Sequence, residues 1–133
     1  MKVDELMQRN VKTVRSDDSV AEAIVALADA HVSGMPVVDR AGKVVGVVST
    51  TDVLAAEAES PDGVGGEDDW QNTPVRDIMT PHPFSIAPGD DVREAARQML
   101  YAEVHRLFVS EGGQVVGIIS TSDIVRAVAT GML

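Results

Sequence analysis

Residues Gly46-Val-Val-Ser49-Thr-Thr51-Asp52 return, 71 positions later, as Gly117-Ile-Ile-Ser120-Thr-Ser122-Asp123. Upstream of this heptapeptide the recurrence continues at an offset of 72. Val3, Met7, Asp18, Val20, Glu22, Ala23, Ala30, Val32 and Val37 fall on Val75, Met79, Asp90, Val92, Glu94, Ala95, Ala102, Val104 and Val109. The one-residue difference lies where Asp39-Arg40-Ala41-Gly42 corresponds to Glu111-Gly112-Gly113. That is a hairpin turn, where insertions and deletions are best tolerated. The chain is thus an internal duplication, with copies over 1–57 and 73–133 and a linker over 58–72.

Each copy reads in the same order. A short strand (Val11–Val14; Phe84–Ile86) precedes an amphipathic helix. Val20, Ala23, Ile24 and Leu27 follow the i, i+3, i+4, i+7 spacing of one helix face, matched by Val92, Ala95, Ala96 and Met99. Ser19-x-x-Glu22 and Asp91-x-x-Glu94 have capping-box form and mark the helix starts. A hairpin follows, Met35–Val38 with Val44–Val48 and Leu107–Val109 with Val115–Ile119. Its second strand is apolar on both faces, which predicts burial on both. Helices over Thr51–Glu57 and Ser122–Thr130 close the copies. The fold class is α/β of the α+β kind, two βαββα units. One unit of about 55 residues buries too little surface to be secure alone, so the two sheets are expected to pack face to face.

Hydrophobic residues make up 44% of the 133 and aromatics only 3%, so the core must be aliphatic. Cysteine is absent, which excludes disulfides and thiolate metal sites and fits a reducing compartment. No apolar run approaches the roughly 20 residues that span a bilayer, and Met1-Lys2-Val3-Asp4-Glu5 does not read as a signal peptide. A cytoplasmic protein is expected. The net charge of −10 argues against nonspecific binding to nucleic acid or to an anionic membrane. Six acids (Glu57, Glu59, Asp62, Glu67, Asp68, Asp69) crowd residues 55–70 without a base, so the two copies themselves are nearly balanced. With Pro61, Gly63, Gly65 and Gly66 among them, this stretch reads as a solvated connector.

Catalysis finds little support. The histidines are His31, His82 and His105, too far apart for a local motif, and no phosphate-binding Gly-rich loop is present. No metal site and no cofactor are expected. Ser49-x-Thr51-Asp52 and Ser120-x-Ser122-Asp123 stand where a buried strand hands over to a helix. The unpartnered N–H groups and positive dipole there suit an anion, and the hydroxyls add donors. The same residues also read as capping boxes that need no ligand.

In tandem, this element order with the two heptapeptides resembles the CBS domain family. Val75-Arg-Asp-Ile-Met79-Thr80 is similar to the opening of such repeats. The stretch from Ala102-Glu-Val-His105-Arg106-Leu to Asp123 resembles the last repeat of the AMP-sensing γ subunit of AMP-activated protein kinase. The resemblance implies a pseudo-twofold pair with two clefts that take AMP, ADP, ATP, S-adenosylmethionine or a related adenosine ligand. Asp52 and Asp123 would hold the ribose hydroxyls, with Ser49, Thr51, Ser120 and Ser122 toward phosphate. His105 and Arg106 resemble the family's phosphate-binding pair. Copy one has Ser33 and Gly34 there, so phosphate is expected chiefly on copy two. Val11, Thr13, Pro36, Pro83 and Ser85 are the implied walls of the base and sugar pocket, beside Met35, Leu107 and Phe108, where core packing is the other reading, and Val14 and Ile86, where core packing is the favoured one. The family further implies a homodimer formed through its helices, and Ala23, Ala26, Ala30 and Ala127 permit close contact. If the repeats stand alone, regulation would be exerted on a separate, unidentified protein or through a homo-oligomer. A non-catalytic dimeric scaffold with empty clefts is the alternative.

Overall fold

The computed structural model describes residues 1–59, 69–81 and 85–133. It divides into two compact units that do not coincide with the two sequence copies. One is Lys12–Pro83; the other joins Met1–Val11 to Phe84–Leu133.

In the first of these, β1 (Val14–Arg15) leads into α2 (Val20–Ala30), β2 (Gly34–Val38), β3 (Val44–Ser49) and α3 (Thr50–Glu59). One-turn 3-10 helices at Asp69–Asn72 and Val75–Asp77 precede β4 (Thr80–Pro81). The sheet order is β1-β2-β3-β4, with β1 parallel to β2 and the other pairs antiparallel. Val14, Ala23, Leu27, Met35, Val37, Val48 and Val75 form its core. In the second unit, α1 (Val3–Leu6) is followed, after the intervening unit, by β5 (Ser85–Ile86), α4 (Val92–Ala102), β6 (Arg106–Glu111), β7 (Gln114–Ser120) and α5 (Thr121–Ala129). β5 runs parallel to β6, and β6 antiparallel to β7. Val3, Met7, Ile86, Ala95, Met99, Leu107, Val109 and Ile119 close around each other. Both cores are aliphatic, as the scarcity of aromatics requires.

The leading segment of each copy therefore completes the other copy's sheet. Gln8 bridges Ile118 on β7 through two backbone hydrogen bonds of 2.8 and 2.9 Å, while β4 pairs Gly46 with Pro81 on β3. Two glycines make this possible. A Cβ on Gly46 would lie 2.7 Å from the Thr80 carbonyl oxygen and 2.7 Å from the Met79 sulfur. One on Gly117 would meet the Met7 sulfur at 2.6 Å and the Gln8 carbonyl at 2.9 Å.

The helix starts are where the sequence puts them, but their boxes are only half built. Ser19 accepts from the Glu22 N–H at 3.1 Å, and the Glu22 carboxylate takes the Ser19 hydroxyl at 3.3 Å instead of its backbone. Asp91 accepts from the Arg93 N–H at 2.8 Å, while Glu94 pairs with Arg97 at 3.0 Å. Around each helix start, Val20 N–H and the Asp18 carbonyl bond Thr73 and Val75 in one unit, and Val92 N–H and the Asp90 carbonyl bond Met1 and Val3 in the other. Two further differences concern the strands. β1 starts only at Val14, and the second hairpin strand is fully buried on one face alone. Val48 and Ile119 are inaccessible, Val47 and Ile118 half-buried. The turn that differs in length is a two-residue Gly112-Gly113 loop with both φ positive in β6–β7, and a longer loop closed by Asp39 in β2–β3. Of the acidic connector, Glu57 and Glu59 belong to α3, whereas Asp62, Glu67 and Asp68 lie outside the described residues.

Candidate functional site

Strand alternation sorts the site residues. Val37, Val48, Leu107 and Ile119 face the cores, so their neighbours lie on the opposite face of each sheet. Register then aligns Pro36, Val47 and Thr80 in one row, with Thr13 just before β1, and Ser85, Phe108, Ile118 and Gln8 in the matching row. Ser49 and Gly34 stand opposite one another beside the first row, as Ser120 and Arg106 do beside the second. Thr13 and Ser85 are exposed, Pro36 and Phe108 buried, Val11 and Arg106 half-buried. Val14, Met35, Ile86 and Leu107 are core residues. Pro83 lies outside the described residues, as do Phe84 and His82.

At the strand ends both heptapeptides form complete reciprocal caps. Asp52 Oδ2 accepts from the Ser49 N–H at 2.9 Å and hydroxyl at 3.0 Å, and the Asp52 N–H donates to Ser49 Oγ at 3.2 Å. Ser120 and Asp123 repeat this at 2.8, 3.0 and 3.2 Å. The cap reading is thus correct for the ligand-free chain. It leaves the second carboxylate oxygen for other work. Asp52 Oδ1 accepts from the Thr80 hydroxyl at 3.3 Å, and Asp123 Oδ1 from the Gln8 amide at 3.2 Å and the Arg126 guanidinium at 3.4 Å. Asp123 is buried and Asp52 only half so.

The first-turn N–H groups are partly consumed. Thr50 donates to the Ser33 carbonyl and Thr121 to the His105 carbonyl, each at 2.9 Å. Thr51 and Ser122, on the exposed first turns of α3 and α5, keep their hydroxyls at the surface. His105 and Arg106 part company. Alternation puts Arg106 on the Phe108 face with Ser120, whereas His105 is exposed and lines an apolar groove of about 620 Å³ along α4 and α5 with Glu103, Val104 and Thr121. Sequence patterns do not single out Gln8 or Arg126, and they give Thr80 no role beyond closing the repeat opening. The 72-residue offset that maps Gln8 onto Thr80 is the available signal, but a lone amide and a lone hydroxyl carry no motif. Among the described residues, no group of three His, Asp or Glu side chains is placed to hold a metal ion, and no helix is long and apolar enough to cross a membrane.

Comparison with known proteins agrees with this fold. The CBS domain family matches residues 3–59 and 75–130. The chain is 35% identical over 127 residues to an inosine-5'-monophosphate dehydrogenase of Methanocaldococcus jannaschii, covering 94% of this chain and 23% of that protein. It is 29% identical over 144 residues to the chloroplastic CBS domain-containing protein CBSX2 of Arabidopsis thaliana, covering 90% and 59%. The chain thus spans less than two thirds of the curated relatives it matches. Among solved structures, CBSX2 in complex with AMP superposes with a TM-score of 0.82 at 30% identity, covering 99% of this chain and 98% of that one. The CBS domain pair of protein MJ0100, in complex with 5'-methylthioadenosine and S-adenosyl-L-methionine, shares the fold at a TM-score of 0.81 and 23% identity, covering 98% of both chains. With two copies matched over most of its length, this chain belongs to the CBS domain family, as a tandem pair of CBS repeats.

Proposed function

We propose that the chain is a regulatory module that binds an adenosine-containing nucleotide on the sheet faces that carry Asp52 and Asp123. One observation carries this reading. Each copy sets a carboxylate at a strand-to-helix junction beside a row of small polar and apolar residues, in a chain 30% identical to a CBS protein solved with AMP. A carboxylate accepts from both hydroxyls of a ribose diol. Arg106 and Ser120, adjacent on one face, supply a guanidinium fork and a hydroxyl for phosphate, with Ser122 two residues on. Copy one presents Gly34 where Arg106 stands, so phosphate binds chiefly in copy two, and Ser49 and Thr51 are the weaker counterparts. Val11, Thr13, Pro36 and Ser85 flank the base and sugar. His105, on the helical side, is assigned no contact. The module performs no reaction of its own, resides in the cytoplasm and acts through a protein partner.

The test is a thermal-shift panel with AMP, ADP, ATP, S-adenosylmethionine, NAD and GTP. A ligand at a hundredfold excess over Kd stabilises the fold by about 2.7 kcal/mol. The shift should weaken in Arg106→Ala and vanish when Asp52 and Asp123 are both replaced by Ala. No shift with any compound, for folded protein free of bound nucleotide, rejects the reading.

A dimeric scaffold is the second reading, and one feature favours it. Apolar grooves run along α2–α3 and α4–α5, about 480 and 620 Å³, flanked by exposed Leu54, Leu100 and Val125. A second copy of this chain is the proposed occupant. Sedimentation should give a dimer that Leu54→Asp with Leu100→Asp converts to monomer; a monomeric parent chain rejects it.

A further inference from the structure

The two ribose-facing carboxylates are equivalent by sequence but not by surroundings. We propose that Gln8 and Arg126 guard Asp123, so that Asp52 accepts a ribose first and the repeats fill in order. This rests on the reading that the chain binds an adenosine nucleotide through these aspartates.

An ionised carboxylate offers about four lone-pair positions. At Asp123 four donors occupy them among the described residues: the Ser120 N–H and hydroxyl on Oδ2, and Gln8 Nε2 and Arg126 Nη1 on Oδ1. At Asp52 the same cap occupies Oδ2, and the Thr80 hydroxyl alone is on Oδ1 among the described residues. The difference in chemistry matters more than the count. A hydroxyl rotates and accepts as well as donates, so Thr80 can turn its proton aside and take one from an arriving sugar. The amide nitrogen of Gln8 and the guanidinium of Arg126 are donors only, and a diol that donates to Oδ1 must displace one of them. Burial sharpens this. Asp123 is 6% exposed, and a carboxylate there is costly to leave without donors during the exchange. Of the two guards, Gln8 is the firmer. The Arg126 side chain is 68% exposed and exchanges its contact with water easily. Gln8 is anchored by its backbone, which both donates to and accepts from Ile118, so its side chain can swing while the strand edge holds.

Calorimetric titration of the full chain with adenosine, which carries no phosphate for Arg106 to hold, tests this. Two dissociation constants are expected, with the tighter site lost in Asp52→Asn and the weaker lost in Asp123→Asn. Gln8→Leu should tighten the weaker site roughly three- to tenfold, the worth of one hydrogen bond, and leave the tighter one unchanged. Arg126→Ala should do the same to a smaller extent, and carries the test should Gln8→Leu fail to fold. Loss of the tighter site in Asp123→Asn overturns the proposal, as do unchanged constants in both guard variants. In either case adenosine still binds, and the functional reading survives. Absence of adenosine binding to the parent chain overturns the proposal, and absence of a shift across the whole nucleotide panel as well overturns both.

Discussion

Gly46 and Gly117 lie in the second strand of each hairpin, with no turn and no positive φ to justify them. Their role is clearance: the strand edge carrying Met79-Thr80 or Met7-Gln8 crosses where a Cβ would stand. Because a backbone carbonyl is among the obstructing atoms, repacking a flexible methionine cannot relieve the clash. Gly46→Ala and Gly117→Ala should each cost about 1–3 kcal/mol in urea unfolding. Gly89→Ala, where an added Cβ would meet nothing within 4 Å, should be neutral or slightly stabilising. Asp91 offers a second handle. The Arg93 N–H bound to its carboxylate holds the pKa below the ordinary value, opposed by partial desolvation and aided by the nearby N-terminus, Arg93 and Lys2. A depressed folded-state pKa means that the contribution exists above the unfolded value, about 4, and fades as pH falls through the folded one. The stability difference between the parent chain and Asp91→Asn should therefore hold from pH 7 to about 5 and shrink below about 4.

At the scale of elements, α2 and α4 stop alike. His31 and Glu103 both adopt the left-handed conformation, at φ 55 and 56, in the place glycine usually takes. The strain is tolerated because each closes its helix, His31 N–H onto Ala28 and Leu27, Glu103 N–H onto Met99. His31→Gly and Glu103→Gly should each raise stability by about 0.5–1 kcal/mol, seen as a higher Tm. The elements were largely legible in sequence, because helix faces, caps and hairpin turns are local patterns. Ser19, Asp91 and the Gly112-Gly113 turn announced themselves. The sheet-face half of the candidate site was legible as a cluster, since Ser120, Asp123 and Arg106 lie within eighteen residues of one another. What separates His105 from Arg106 is the period of a strand, which needs the strand's start to be known to the residue. The partners of Asp52 and Asp123 were hidden for another reason. Thr80 and Gln8 come from 28 and 115 residues away, and no local rule links them.

For the whole molecule, the same distance explains why the compact units and the sequence copies differ. The repeat is plain in the letters, but which sheet a leading segment joins depends on pairing across the full chain. A chain cleaved at a site engineered between Glu59 and Trp70 would give two pieces, each holding the strand edge of the other's sheet. They should stay associated through gel filtration under native conditions and separate only in denaturant; independent elution of two folded pieces would contradict the exchange.

That exchange also bears on inheritance. The clearance at Gly117 is matched to Met7 and that at Gly46 to Met79, so neither duplicate is free to drift alone. A change written into the codons for Met7 and Gln8 is felt in a sheet encoded far downstream, and the two copies are bound to a common history.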